Sequence, residues 1–285
     1  VIADSLRGTK PPPGGQKLLA NIKLNLRNAR GDSLETLPPV DPALQKEIDA
    51  LFPNRHESYS LTVLEITPGK RVRYAERKAG QQLNPGSVGK MAIAAGLFTE
   101  LKNIYPNSIA KRIELLRTRM VVADKWAQPN HHEVPVFNLE DRSFSARAVR
   151  DGDTFSLYEW ADHMLSASSN AAASTVWKEA MLMRKFGQQY PPTLEQEKEF
   201  FEKTPKAELS QMAVSIVNDP LRAIGIEERD WRLGSFFTAN GKRMVPGGGG
   251  SGATPKGYLQ YLIALERGKI VDEWSSLEIK RLIYL

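Results

Sequence analysis

The stretch Leu83-Asn84-Pro85-Gly86-Ser87-Val88-Gly89-Lys90-Met91-Ala92-Ile93-Ala94-Ala95-Gly96-Leu97-Phe98 decides how this chain is read. Pro85-Gly86 closes a loop, and from Ser87 to about Leu101 the pattern predicts a helix whose centre is apolar on every face. A helix of that kind belongs in the middle of a domain. Ser87 and Lys90 stand three residues apart, on one face at the helix start. A serine hydroxyl is a poor nucleophile until a base takes its proton. A lysine can be that base if burial and the positive end of the helix dipole bring its pKa down. The Ser87 N–H, in the first turn, is a natural donor to an oxyanion. The ordinary alternative is a serine that caps a helix.

The same spacing recurs at Ser108-Ile109-Ala110-Lys111. There the following residues, Lys111, Arg112, Glu114, Arg117 and Arg119, are charged, so a capping serine on a solvent-facing helix is expected. A second feature favours Ser87. Ser168-Ser169-Asn170 is the one Ser-x-Asn in the chain, between a helix ending near Leu165 and one starting near Asn170. A serine hydroxyl there could relay a proton between Lys90 and a leaving amine, and the Asn170 amide could hold a lysine and a substrate carbonyl. Its ordinary reading, again, is a helix cap.

Around this centre the pattern is mixed. A helix is expected from Asp41 to about Phe52, and a hairpin from Tyr59 to Ile66 and Arg71 to Glu76 across the turn signal Pro68-Gly69. Helices follow over Ser156 to Leu165, Asn170 to Met183 and around Lys206 to Val217, with a polar loop from Gln128 to Arg142. Gly247 to Gly252 reads as a flexible connector. Thr254 is an expected N-cap with Pro255 as first helical residue, and helices near Pro255 to Glu266 and Asp272 to Tyr284 close the chain. Residues 1–40, with Pro11-Pro12-Pro13-Gly14-Gly15 and Pro38-Pro39, read as an extended arm or linker ahead of a domain spanning 41–285.

Composition narrows the classes. The 285 residues contain no cysteine, which excludes disulfide scaffolds, thiolate metal sites and cysteine nucleophiles. The net charge is +6, but 39 basic residues are interleaved with 33 acidic ones and form no basic stripe, so no nucleic-acid partner is expected. No apolar run approaches the roughly 20 residues of a membrane span, so no transmembrane segment is expected. His131-His132-Glu133 has no third ligand at a recognised spacing and reads as surface loop, so neither metal nor organic cofactor is expected. Trp126, Trp160, Trp177, Trp231 and Trp274 are scattered, as core residues would be.

Together the two motifs resemble those of the active-site serine β-lactamases and penicillin-binding proteins, whose signature is Ser-x-x-Lys, then Ser-x-Asn, then Lys-Thr/Ser-Gly. Leu83 to Lys90 is similar to the family's entry into its nucleophile helix, and Phe155 to Asn170 to the approach to its second motif. Thr254 to Gly268 is similar to the helix after its omega loop, so the likeness runs over about 41–285 in the family's order. The resemblance implies an α/β (α+β) β-lactamase/transpeptidase-like fold: an antiparallel sheet flanked by helices, with a mostly helical subdomain at roughly 100–255. It implies Ser87, Lys90 and Ser168 as catalytic residues, Asn170 as substrate-binding, and a small-molecule β-lactam or peptidoglycan-peptide substrate. It also implies export to the periplasm or medium, the signal peptide having been removed. Three activities fit it: a β-lactam hydrolase, a D-Ala-D-Ala carboxypeptidase or esterase, and an inactive binding or structural domain.

Two features depart from the family pattern. No Lys-Thr-Gly, Lys-Ser-Gly or His-Thr-Gly occurs, so a fragment, or a separate C-terminal piece bearing the third motif and its strands, is expected. The omega-loop Glu-x-x-Leu-Asn of class A enzymes has as its nearest match Phe236-Phe237-Thr238-Ala239-Asn240. Phenylalanine cannot be a general base, which leaves Glu227 or Glu228 upstream, or another route of deacylation.

Overall fold

The computed structural model describes residues 18–52, 59–138 and 140–283. The Pro11 to Gly15 tract and the expected helix end at Tyr284 lie outside the described residues.

The protein is α/β, with helices dominant and the strands in short antiparallel pairs. Helix α1 (Pro42–Ala50) starts where expected: the Asp41 carboxylate accepts from the Leu44 N–H at 2.9 Å, and Pro42 occupies the first turn. The predicted hairpin forms as β1 (Leu61–Glu65) and β2 (Arg73–Arg77), with Val63 opposite Ala75. It is flanked by helices. Helix α1 packs on β2, and α8 (Pro255–Glu266) packs on β1. The described residues hold four two-stranded antiparallel pairs.

The buried helix exists as α2 (Lys90–Ile104), entered through a 3-10 turn at Gly86–Gly89. Ala92, Ile93, Leu97, Phe98 and Leu101 are inaccessible to solvent. Two helices enclose it, α5 (Asn170–Phe186) and α7 (Lys206–Ala223), and Gly96 faces the second. A Cβ on that glycine would stand 2.8 Å from the Ile216 carbonyl oxygen, so only glycine permits the approach. Helix α3 (Ile109–Thr118) and α4 (Leu157–Leu165) pack on each other, and α4 on α5. The start of α4 is secured by a reciprocal Ser156–Glu159 capping box. All five tryptophans are buried, and Trp160 and Trp177 donate their indole N–H to the Val121 and Ala213 carbonyls at 3.0 Å each.

Other expectations are corrected. The stretch Gln128 to Arg142 is not simply a loop: β4 (Glu133–Phe137) pairs with β5 (Phe144–Ala148), Pro135 opposite Ala146. A proline within a strand argues against a central position, and a two-stranded ribbon tolerates it because each strand is an edge. Met120–Val122 (β3) pairs with Thr154–Ser156 (β6), and α6 (Leu194–Lys203) is a further helix. The chain from Leu18 to Val40, expected to extend as an arm, folds back. Leu26 and Leu34 are buried with Tyr74, Leu259 and Ile263, and the Leu26 N–H donates to the Glu266 carbonyl at 3.1 Å. The glycine-rich connector is tied down as well: Arg232 donates to the Gly248 and Gly250 carbonyls, and the Gly248 N–H to that of Gly234 at 3.0 Å.

Candidate active site

The four residues singled out in the sequence meet at one nitrogen. Lys90 Nζ donates to Ser87 Oγ at 3.0 Å, to the Ser168 carbonyl at 2.6 Å, to Ser168 Oγ at 3.2 Å and to Asn170 Oδ1 at 2.8 Å. Each arrives on a different structural device. Ser87 sits in the 3-10 turn ahead of α2 and is exposed, whereas Lys90, one turn later, is 1% exposed. Ser168 lies in the short connection between α4 and α5 with φ at +55°, left-handed backbone that a non-glycine residue seldom adopts. That conformation lets one residue present both its carbonyl and its hydroxyl to the lysine. Its neighbour Ser169 does the capping, accepting from the Ala172 N–H at 3.2 Å, so Asn170 opens α5.

The competing pair does not do this. Ser108 Oγ accepts from the Lys111 N–H at 3.3 Å as the N-cap of α3. Lys111, Glu114 and Arg117 are exposed as expected, whereas Arg112 is buried and donates to Asp272 at 2.6 Å, Leu116 is buried, and Arg119 is half-buried.

Burial pulls the Lys90 pKa down to about 8, and no carboxylate contributes to offset it. An ammonium has three protons for the four acceptors around it. A neutral amine has two and keeps a lone pair for the Ser87 proton. The geometry therefore serves either form. The Phe237 ring lies over the amine, its centroid 4.9 Å from Nζ.

The acidic alternatives lie elsewhere. Glu227 and Glu228 are exposed and pair with Arg229 at 2.8 Å and Arg232 at 3.0 Å. Phe236 is core: it stacks on Trp177 with centroids 4.3 Å apart. Of the two adjacent histidines, which stack on each other at 4.4 Å, His132 has its pKa lowered by burial and by the Lys90 charge. Its Nδ1 is buried without a hydrogen-bond partner. Sequence reading missed both His132 and Phe237 as neighbours of the lysine, because neither falls at a spacing that links it to Ser87.

No family model and no curated protein matches the chain. Among solved structures it is similar to a β-lactamase from Sphaerobacter thermophilus, with 15% identity and a TM-score of 0.47, covering 83% of this chain and 66% of that one. It is similar to PBP-A, with 13% identity and a TM-score of 0.47, covering 85% and 68%. An acyl-enzyme complex of a PBP-A variant with penicillin G gives 11% identity, a TM-score of 0.47, and coverage of 85% and 69%. The chain thus spans about two thirds of the length of these structures. At such identities the likeness bears on fold alone.

Proposed function

We propose that the protein is a serine acyl-transfer enzyme of the penicillin-recognising type, in which Ser87 attacks the carbonyl of a β-lactam or a related amide or ester. The observation that carries this reading is the buried Lys90 amine in contact with Ser87, Ser168 and Asn170 together. In the neutral form Lys90 takes the Ser87 proton as Oγ bonds to the carbonyl carbon. Negative charge gathers on the carbonyl oxygen near the Ser87 N–H, at the positive end of α2. The proton then passes from Lys90 through Ser168 Oγ to the amine nitrogen. The carbon–nitrogen bond breaks, leaving an ester on Ser87. Asn170 holds the lysine and the substrate's amide edge.

A peptidase or esterase with a slowly released acyl group is the second reading, favoured over rapid hydrolysis because Phe236, the nearest match to the class A glutamate, is a core ring stacked on Trp177, and Glu227 and Glu228 are exposed and paired with arginines. No described helix is long and apolar enough to cross a membrane. Export belongs to this proposal because a peptidoglycan substrate lies outside the cytoplasm. Incubation with a fluorescent penicillin tests the reading. Wild type and Ser108→Ala are expected to label, and Ser87→Ala is not. Absence of any adduct on wild type sinks the proposal.

A further inference from the structure

Lys90 is covered by carbon. The Phe237 ring lies 4.9 Å from Nζ and reaches back over the helix start, where a Cβ on Gly89 would meet Phe237 Cζ at 3.5 Å and Leu233 Cδ1 at 3.2 Å. The residues on either side of Phe237 are fixed. Phe236, 2% exposed, stacks on Trp177 and tilts against Trp126 with centroids 5.5 Å apart. Thr238 is equally buried: its N–H donates to Ser174 Oγ at 3.1 Å and its hydroxyl to the Trp126 carbonyl at 2.7 Å. With the backbone anchored at both neighbours, the ring can leave the lysine only by rotating its own side chain.

We propose that the Phe237 ring is a cover that keeps water from Lys90, and that by withholding this base from an attacking water it makes the acyl ester formed at Ser87 long-lived. The proposal rests on the acyl-transfer reading and adds the residue that governs its second half. Release requires a water oxygen to bond to the ester carbonyl carbon while a base takes its proton. The carbonyl–Oγ bond then breaks, that proton returns to Ser87 Oγ, and a carboxylic acid departs. An aromatic ring can neither accept the proton nor hydrogen-bond the water strongly. Glu227 and Glu228 are occupied by arginines at the surface, and no carboxylate acts on Lys90.

The ring has two opposed effects on the lysine. Its face attracts the ammonium, and its bulk removes water from it. Burial is what lowers the Lys90 pKa, and the ring is part of what buries it, so removing the ring is expected to raise that pKa.

The full chain as wild type, Phe237→Ala and Phe237→Leu tests this with a fluorescent penicillin, following label uptake and loss separately. All three should acylate. Phe237→Ala should release the label about tenfold faster, and Phe237→Leu, which keeps the apolar cover, should stay near wild type. A second measurement needs no β-lactam: the NMR titration of the Lys90 side chain, assigned by its loss in Lys90→Met. Its midpoint is expected near 8 in wild type and higher in Phe237→Ala. An adduct that leaves Phe237→Ala no faster than wild type, with an unmoved Lys90 midpoint, overturns the cover. If wild type takes no label, the acyl-transfer reading fails instead, and the two Lys90 midpoints decide the cover alone.

Discussion

Lys90 and Lys178 lie on adjoining helices, α2 and α5, and are almost equally buried, at 1% and 3% exposure. Their surroundings are opposite. Lys178 donates to Asp124 at 3.0 Å and to Glu197 at 2.8 Å, with Glu179 at 3.8 Å. Burial pulls its pKa down, but those three carboxylates outweigh burial and hold it above the ordinary lysine value. Lys90 meets two hydroxyls, an amide oxygen, a carbonyl and an aromatic face, and burial alone acts on it. A buried lysine among carboxylates is a fixed cation that fastens α5 to α6 and to the segment after β3. One among neutral groups can shed its proton near neutral pH. What separates the two lysines is therefore the charge around them, with burial held constant.

Substitutions break this contrast in different observables. Lys90→Met should keep the fold and lower the rate of penicillin labelling by about 10²- to 10⁴-fold, the usual worth of a positioned base. Urea unfolding and labelling time courses check both halves. Lys178→Met should do the reverse, leaving Glu179 and Glu197 without their ammonium and costing about 3–5 kcal/mol of stability in the same unfolding experiment, while the folded fraction still labels. If Lys178→Met folds as stably as wild type, the carboxylates are not what distinguishes the two sites. The smallest effect is reserved for the second Ser-x-x-Lys. Ser108→Ala removes the cap of α3 and should cost about 1 kcal/mol, with labelling unchanged.

The Lys90 half of this contrast was legible in the order of residues, and the Lys178 half was not. The all-apolar run from Met91 to Phe98 announced a central helix, and the one Ser-x-Asn chose Ser87 over Ser108. Helix starts read well where a cap is local, as at Asp41, Ser156 and Thr254. The β4–β5 hairpin did not, because Pro135 and the charged residues between the strands mimic a loop while Val134 is fully buried. Residues 18–40 also misled. The Pro-rich stretches before and at the end of this segment, Pro11 to Pro13 and Pro38-Pro39, hide the apolar residues Ile22, Leu26 and Leu34, which are buried against the domain. Within the site, Phe236 and Phe237 could be read only as the loss of a carboxylate. That one ring enters the core and the other caps a lysine is a tertiary fact, carried by Trp177 and Thr238 rather than by any spacing.

In the proposed mechanism a lysine that is neutral near physiological pH activates Ser87. The pH dependence of the Ser87 labelling rate tests it most directly. The lowered Lys90 pKa means that its neutral form grows as pH rises, so the rate should climb through a midpoint near 8 and then level off. A rate that keeps rising toward the ordinary lysine range of about 10.4, or that is unchanged in Lys90→Met, contradicts the claim.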